Sequence, residues 1–335
     1  MKRMGTPSGS RDYNDEEIRS FVADLESLRS GDLTVSLLVG CGERAVEPLR
    51  EYLLQGEPRG IFQPRQRAVE ALAQLGAKEV LLEYLSQKRH IPDFEVRFGE
   101  EAVENTAARC LGEWRTDEVY DFLKNLAQAR MLPGAMEALG KFERVDAVDI
   151  FIRALGDDIC RPAADEALCR IAGKVKPALV RAALPQTEEG EEKPSERRRR
   201  RAVVKILSEL SFTLEEWNEL RLLLNDQDKD IALIAARIAV DSAPLEEKQV
   251  AARFLIHSLA RAHWFAQIQI HECLHRNYNH LRQLIAEELA ARRLLVCGEP
   301  FSDQVLRILA SIQSSEEQAM SRERGDHGKR EHATG

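Results

Sequence analysis

A chain of 335 residues that is 44% apolar, 31% charged and only 6% aromatic suits an Ala- and Leu-rich helical stack rather than a β-sandwich. Its net charge of -8 argues against a general nucleic-acid binder, which carries a positive field to neutralise phosphates, though it leaves room for a local basic face. No stretch approaches the roughly 20 apolar residues that cross a bilayer, and the start MKRMGTPSGSRDYNDEE has no apolar signal core, so a cytoplasmic protein is expected.

In chain order, residues 1–13 are rich in Gly, Ser and charge and are expected to be disordered. A capping helix begins near Asn14 or Asp15, where a polar cap precedes Ile18, Phe21, Val22 and Leu25. A degenerate hairpin follows: Leu33 to Val39, a turn at Gly40, Cys41 and Gly42, then Ala45 to Leu53. That last segment aligns without a gap with Ala147 to Leu155, and looser copies occupy 80–85, 119–126 and 175–184. Short turns at Gly76-Ala77, Arg115-Thr116-Asp117 and Gly173-Lys174 have the length of an antiparallel helical hairpin connection. Pro48 and Pro177 fall in the first turn of second helices, where a missing N–H does no harm. An insertion at 89–98 stretches one connection, and the acidic, Pro-bearing tract 186–196 is the expected linker between repeat segments 14–185 and 197–313. Beyond the linker, helices are predicted near 197–210, 213–224, 229–241, 246–260, 262–276, 280–296 and 302–313, with a disordered tail at 314–335.

The first helices share a four-column pattern: small, x, x, small, Leu, x, x, apolar. Aligned on Leu72, Leu111, Leu139, Leu168, Leu207 and Leu274, the position four before holds Ala68, Ala107, Ala135, Ala164, Val203 and Ile270. The position just before each Leu holds Ala71, Cys110, Ala138, Ala167, Ile206 and Cys273. Three residues after stand Leu75, Trp114, Phe142, Ile171 and Leu210, with Asn277 as the exception. A hairpin of this kind cannot bury its apolar face alone, so copies must stack, and a stack can run as one body whatever the chain length suggests about domain number. The expectation is an all-α chain, an α-solenoid of stacked antiparallel helical hairpins.

Together with Arg67-Ala68, Arg201-Ala202 and Ala138-Leu139-Gly140, these columns resemble HEAT repeats, particularly the short bacterial subtype also found in phycobilin lyases. The resemblance covers roughly residues 31–296 and implies a right-handed curved solenoid whose second helices form a concave binding surface. The columns blur after Leu210. HEAT arrays act as scaffolds, adaptors, carrier receptors and occasionally enzymes, so the resemblance speaks to fold more than to function.

The sharpest chemical motif is His271-Glu272-Cys273-Leu274-His275, an HExxH pattern in which two histidines share a helix face able to hold Zn²⁺ and Glu272 serves as general base of a metal-dependent hydrolase. The repeat frame accounts for much of it, because Glu70-Ala71-Leu72, Glu137-Ala138-Leu139 and Glu166-Ala167-Leu168 carry the same Glu-x-Leu. His280 comes one residue too early for a metzincin third ligand, and Glu287 or Glu288 enters only by free choice. Deoxyhypusine hydroxylase, a HEAT-like protein, uses several His-Glu pairs, whereas this chain has one; no residue is assignable to chromophore transfer of the phycobilin-lyase kind. Nucleic-acid binding would rest on Arg197 to Arg201, which Glu188, Glu189, Glu191, Glu192 and Glu196 can screen.

No glycine-rich phosphate loop, G-x-S-x-G elbow or EF-hand spacing occurs. The six cysteines, without CxxC spacing, read as packing thiols, and Trp114, Trp217 and Trp264 as packing residues. What remains is a non-enzymatic, cofactor-free scaffold that offers the second-helix face to a protein partner. The expected patch is Glu47, Glu51, Tyr52, Glu83, Tyr84, Tyr120 and Asp121, mostly acidic with aromatics, which favours a basic partner segment.

Overall fold

The computed structural model describes residues 13–27, 29–185, 192–295 and 303–315. Every regular element among them is helical. The chain forms two compact units, Met1–Val175 and Lys176–Gly335. In both, helices alternate between two layers and many pack on the next but one as well as on their chain neighbours, the arrangement of stacked antiparallel hairpins.

The first unit opens with α1 (Asp15–Asp24), whose start is fixed by a reciprocal cap between Asn14 and Glu17. It packs on α2 (Gly31–Gly40) and α3 (Val46–Gln55), closing the stack as the amphipathic pattern at Ile18, Val22 and Leu25 predicts. One layer then runs through α2, α4 (Gln63–Gln74), α6 (Phe94–Leu111) and α8 (Pro133–Gly140). The facing layer runs through α1, α3 and α5 (Lys78–Ser86), followed by α7 (Asp117–Ala129) and α9 (Val148–Ala154). Gly42 and Gly76 turn the chain with φ of 66° and 78°, a left-handed backbone that glycine adopts without steric cost.

The column explains the layer of first helices. All six leucines from Leu72 to Leu274 are buried, as are the residues four positions before them. Small residues let these helices approach closely. A Cβ on Gly134 would lie 2.0 Å from the Asn105 carbonyl oxygen, and one on Gly112 2.8 Å from the Ala138 Cβ. Asn277, the exception at the last column position, is buried yet satisfied: its Nδ2 donates to Asp241 Oδ1 at 2.6 Å and to the Cys273 carbonyl at 3.0 Å.

One turn differs from the expectation. Gly173 and Lys174 do not break the chain, because α10 (Arg161–Ala183) runs through them with Pro177 inside it. The division between the units falls two residues before that proline, which has no N–H to give the Gly173 carbonyl.

The second unit contains α11 (Pro194–Leu207), α12 (Leu214–Leu220), α13 (Lys229–Ser242), α14 (Leu245–Ser258), α15 (Trp264–Arg276), α16 (Tyr278–Leu295) and α17 at 304–315. Helices α11, α13 and α15 form one layer, and α14 and α16 the other. Of the expected linker, 186–191 lies outside the described residues and 194–196 form the first turn of α11. Of the expected disordered segments 1–13 and 314–335, residues 1–12 and 316–335 lie outside them as well, whereas Tyr13 packs edge-on to Phe21 and 314 and 315 are the end of α17.

Candidate functional site

The second-helix face of the first unit carries the expected patch, and its members divide into two groups. Glu47 and Glu51 on α3, Glu83 on α5 and Asp121 on α7 are exposed, and Tyr52 is half-buried. Arg50 stands between two of the carboxylates, donating to Glu83 Oε1 at 2.8 Å and to Glu47 Oε1 at 3.1 Å. Consecutive second helices are thus joined across the surface by a solvent-screened pair that contributes little to stability. Tyr52 lines a groove of about 490 Å³ with Glu26, Glu57, Arg59, Ile61 and Glu95. A smaller groove of about 240 Å³ holds Glu47 and Glu51 beside Ile18, Arg19 and Pro48.

Tyr84 and Tyr120 are not surface anchors. The Tyr84 hydroxyl donates to Glu100 Oε1 at 2.7 Å deep between α5 and α6, and burial followed by the nearby carboxylate pushes its ionisation far up. Tyr120 packs edge-on to Phe142, its ring centroid lies 3.8 Å from the Arg144 guanidinium, and its hydroxyl donates to Asp146 at 2.7 Å. Their spacing on successive second helices is that of inward-facing positions, which sequence periodicity alone did not separate from the exposed ones.

The buried charge around Tyr84 was not anticipated. Arg65, 4% exposed in its side chain, donates Nε and Nη2 to the two oxygens of Glu100 at 2.9 and 2.8 Å. Its remaining donors reach the carbonyls of Tyr52, Leu53 and Gly56 at the end of α3. Arg89 adds a second bond to Glu100 at 2.8 Å and caps Leu53 and Leu54. Burial disfavours the Arg65 charge, and the Glu100 carboxylate more than restores it.

The column register held the signal for this cluster. Seven residues before each aligned leucine stand Arg65, Glu104, Leu132, Arg161, Arg200 and Gln267, and of these Arg65, Glu104, Arg200 and Gln267 are buried polar side chains. Arg200 donates to the Ala183 carbonyl at the end of α10 and pairs with Glu192 and Asp226. Gln267 donates to the Leu259 and Ala262 carbonyls just past α14. The shared task is to satisfy the carbonyls that a preceding second helix leaves open at its C-terminus. Glu104 differs, accepting from Arg130 at the end of α7.

The basic run is drawn into the same structure. Arg200 is buried, Arg201 bonds Asp228 at 2.6 Å and Asp230 at 3.1 Å, and Arg197 lies 3.6 Å from Glu192. Screening thus comes from the approach to α13 as well as from Glu192, while Glu188, Glu189 and Glu191 lie outside the described residues.

On α15, His271 and His275 stack with ring centroids 6.0 Å apart, Glu272 is exposed, and the His271 Nε2 lies 3.3 Å from Ser311 Oγ. Burial, then the neighbouring His275, depresses the His271 pKa. Among the described residues no group of three His, Cys, Asp or Glu side chains is placed to hold a metal ion. Two imidazoles are therefore the donor set on which the hydrolase reading rests.

Two packing expectations need correction. Trp217 is buried and its Nε1–H donates to Glu247 at 2.8 Å, whereas Trp264, at the start of α15, is 71% exposed. Cys160 and Cys273 are buried, and burial pushes both thiols up to about 12, but Cys169 is exposed on α10. Among the described residues no helix is long and apolar enough to cross a membrane.

No family model and no curated protein matches the chain. Among solved structures it is similar to the complex of CpcE and CpcF of phycocyanin lyase from Nostoc sp. PCC7120, at 18% identity and a TM-score of 0.33, over 85% of this chain and 99% of that one.

Proposed function

We propose that the protein is a non-enzymatic scaffold or adaptor, cytoplasmic and cofactor-free, whose second-helix face in the first unit receives a basic segment of a protein partner. The hairpins are read as HEAT-like repeats, on the strength of the buried small-x-x-small-Leu column in both units. One observation carries the functional reading: carboxylates recur outward on consecutive second helices, Glu47 and Glu51, then Glu83, then Asp121, beside the half-buried Tyr52. Arg50 answers Glu47 and Glu83, yet the row keeps an acidic excess that attracts cations, and complementarity of charge sets partner choice and association rate more than raw affinity.

Replacing Glu47, Glu51 and Glu83 together by Lys tests it. Affinity capture from native extract should lose the partner that the unaltered protein retains. The melting temperature should fall only slightly, because the Arg50 pairs removed are exposed. Retention of the same partner at the same yield would refute the reading.

A further inference from the structure

Large apolar side chains cluster in water at the start of α15 in the second unit. Trp264 and Phe265 meet edge to face with ring centroids 5.8 Å apart, and the His263 ring lies parallel to Phe265. Phe265 is 49% exposed and Ile268, one turn on, is 44% exposed. On α14, which packs against α15, Val250 and Phe254 are exposed as well. Aromatic and aliphatic side chains left in water side by side are the usual mark of an interaction surface, and Trp is the residue most enriched among binding hot spots.

The charge before and within the start of α15 is predominantly basic, with the exposed Glu272 one turn beyond Ile268. In a chain of net charge -8, the stretch 248–271 contains no Asp or Glu at all, yet it holds Lys248, Arg253 and Arg261 with His257, His263 and His271. Glu288, reaching over from α16, answers Arg253 and His257. Arg261, exposed three residues before Trp264, has no carboxylate partner among the described residues. The positive end of the α15 dipole adds to it at Trp264, where His263 caps only the Ala266 N–H.

We propose that the exposed junction of α14 and α15, from Arg261 to Ile268, docks an amphipathic segment of a partner protein bearing apolar side chains next to Asp or Glu. The apolar side chains cover Trp264, Phe265 and Ile268, and a carboxylate of the segment pairs with Arg261. This surface is separate from the acidic patch on the first unit and has the opposite preference.

Titration with a fluorescein-labelled amphipathic helix of Glu and Leu, followed by anisotropy, tests it, with a Lys and Leu counterpart as control. Trp264 supplies a second readout, since covering an exposed indole shifts its emission to the blue. Expected are tighter binding of the acidic probe than of the basic one, a blue shift on binding, and a loss of roughly tenfold or more in affinity in Trp264→Ala and in Ile268→Ser. Arg261→Glu should weaken the acidic probe and strengthen the basic one. Equal blue shifts with both probes, acidic-probe binding untouched by all three substitutions, or Trp264 emission that responds only to phosphatidylserine vesicles would each overturn the proposal, the last in favour of a membrane surface.

Discussion

The neighbourhood of Glu100 in the first unit and the α14–α15 face in the second spend their side chains in opposite ways. Around Glu100, two arginines and a tyrosine hydroxyl are taken out of water and every strong donor finds an acceptor, several of them carbonyls at the end of α3. Around Trp264, large apolar groups that could have joined a core stay in water, and Arg261 stands beside them. Polar groups inside and apolar groups outside are each costly by themselves, so each asks for a reason. The first is structural, tying one hairpin to the next, and the second is a surface whose covering lies on another molecule.

The contrast breaks most readily at Glu100. Glu100→Ala leaves Arg65 buried without its counter-ion and the Tyr84 hydroxyl without its acceptor, and should cost about 3–5 kcal/mol in chemical denaturation. A cost near that of an exposed pair would mean that the cluster is open to water. The close approach of first helices comes next. Gly134→Ala drives a methyl into the Asn105 carbonyl and should cost about 1–3 kcal/mol, whereas Gly173→Ala, inside α10 where a Cβ meets nothing within 4 Å, should stabilise by about 0.5–1 kcal/mol. The smallest effect is expected at Asp146, where the Lys124 hydrogen bond is the largest influence and the Tyr120 hydroxyl adds to it. Its pKa falls from 3.8 to about 2. A carboxyl depressed on folding stabilises the protein above its unfolded value and gives up that stability as pH falls toward 2. Acid titration of Asp146→Asn should therefore show a shallower loss over that window.

The fold was legible because its repeat is written twice, in the column of small residues and leucines and in the polar turns between helices. Even the exception at Asn277 marked a real change, from apolar packing to a hydrogen-bonded plug on Asp241. The end of the first unit was less legible: Gly173 and Pro177 both signal a break, and the helix runs through them. Individual side chains were read less well, for a physical reason. Helical periodicity separates apolar from polar but assigns an amphipathic residue to neither face, so Tyr84 and Tyr120 were expected outside and Trp264 inside, and the structure reverses all three. Arg65 and Arg200 were hidden by the same rule, since a buried arginine that caps carbonyls looks in the sequence like one facing solvent. Their shared register, seven residues before the column leucine, was the readable sign.

Side-by-side thermal denaturation of Glu100→Ala and Trp264→Ser tests most directly whether one cluster is structure and the other surface. Expected are a large fall in melting temperature for Glu100→Ala and, for Trp264→Ser, a change within about 0.5 kcal/mol of the unaltered protein, as for other surface substitutions. A fall for Trp264→Ser comparable to that of Glu100→Ala would contradict that division, because Trp264 would then be part of the core and not a face that awaits a partner.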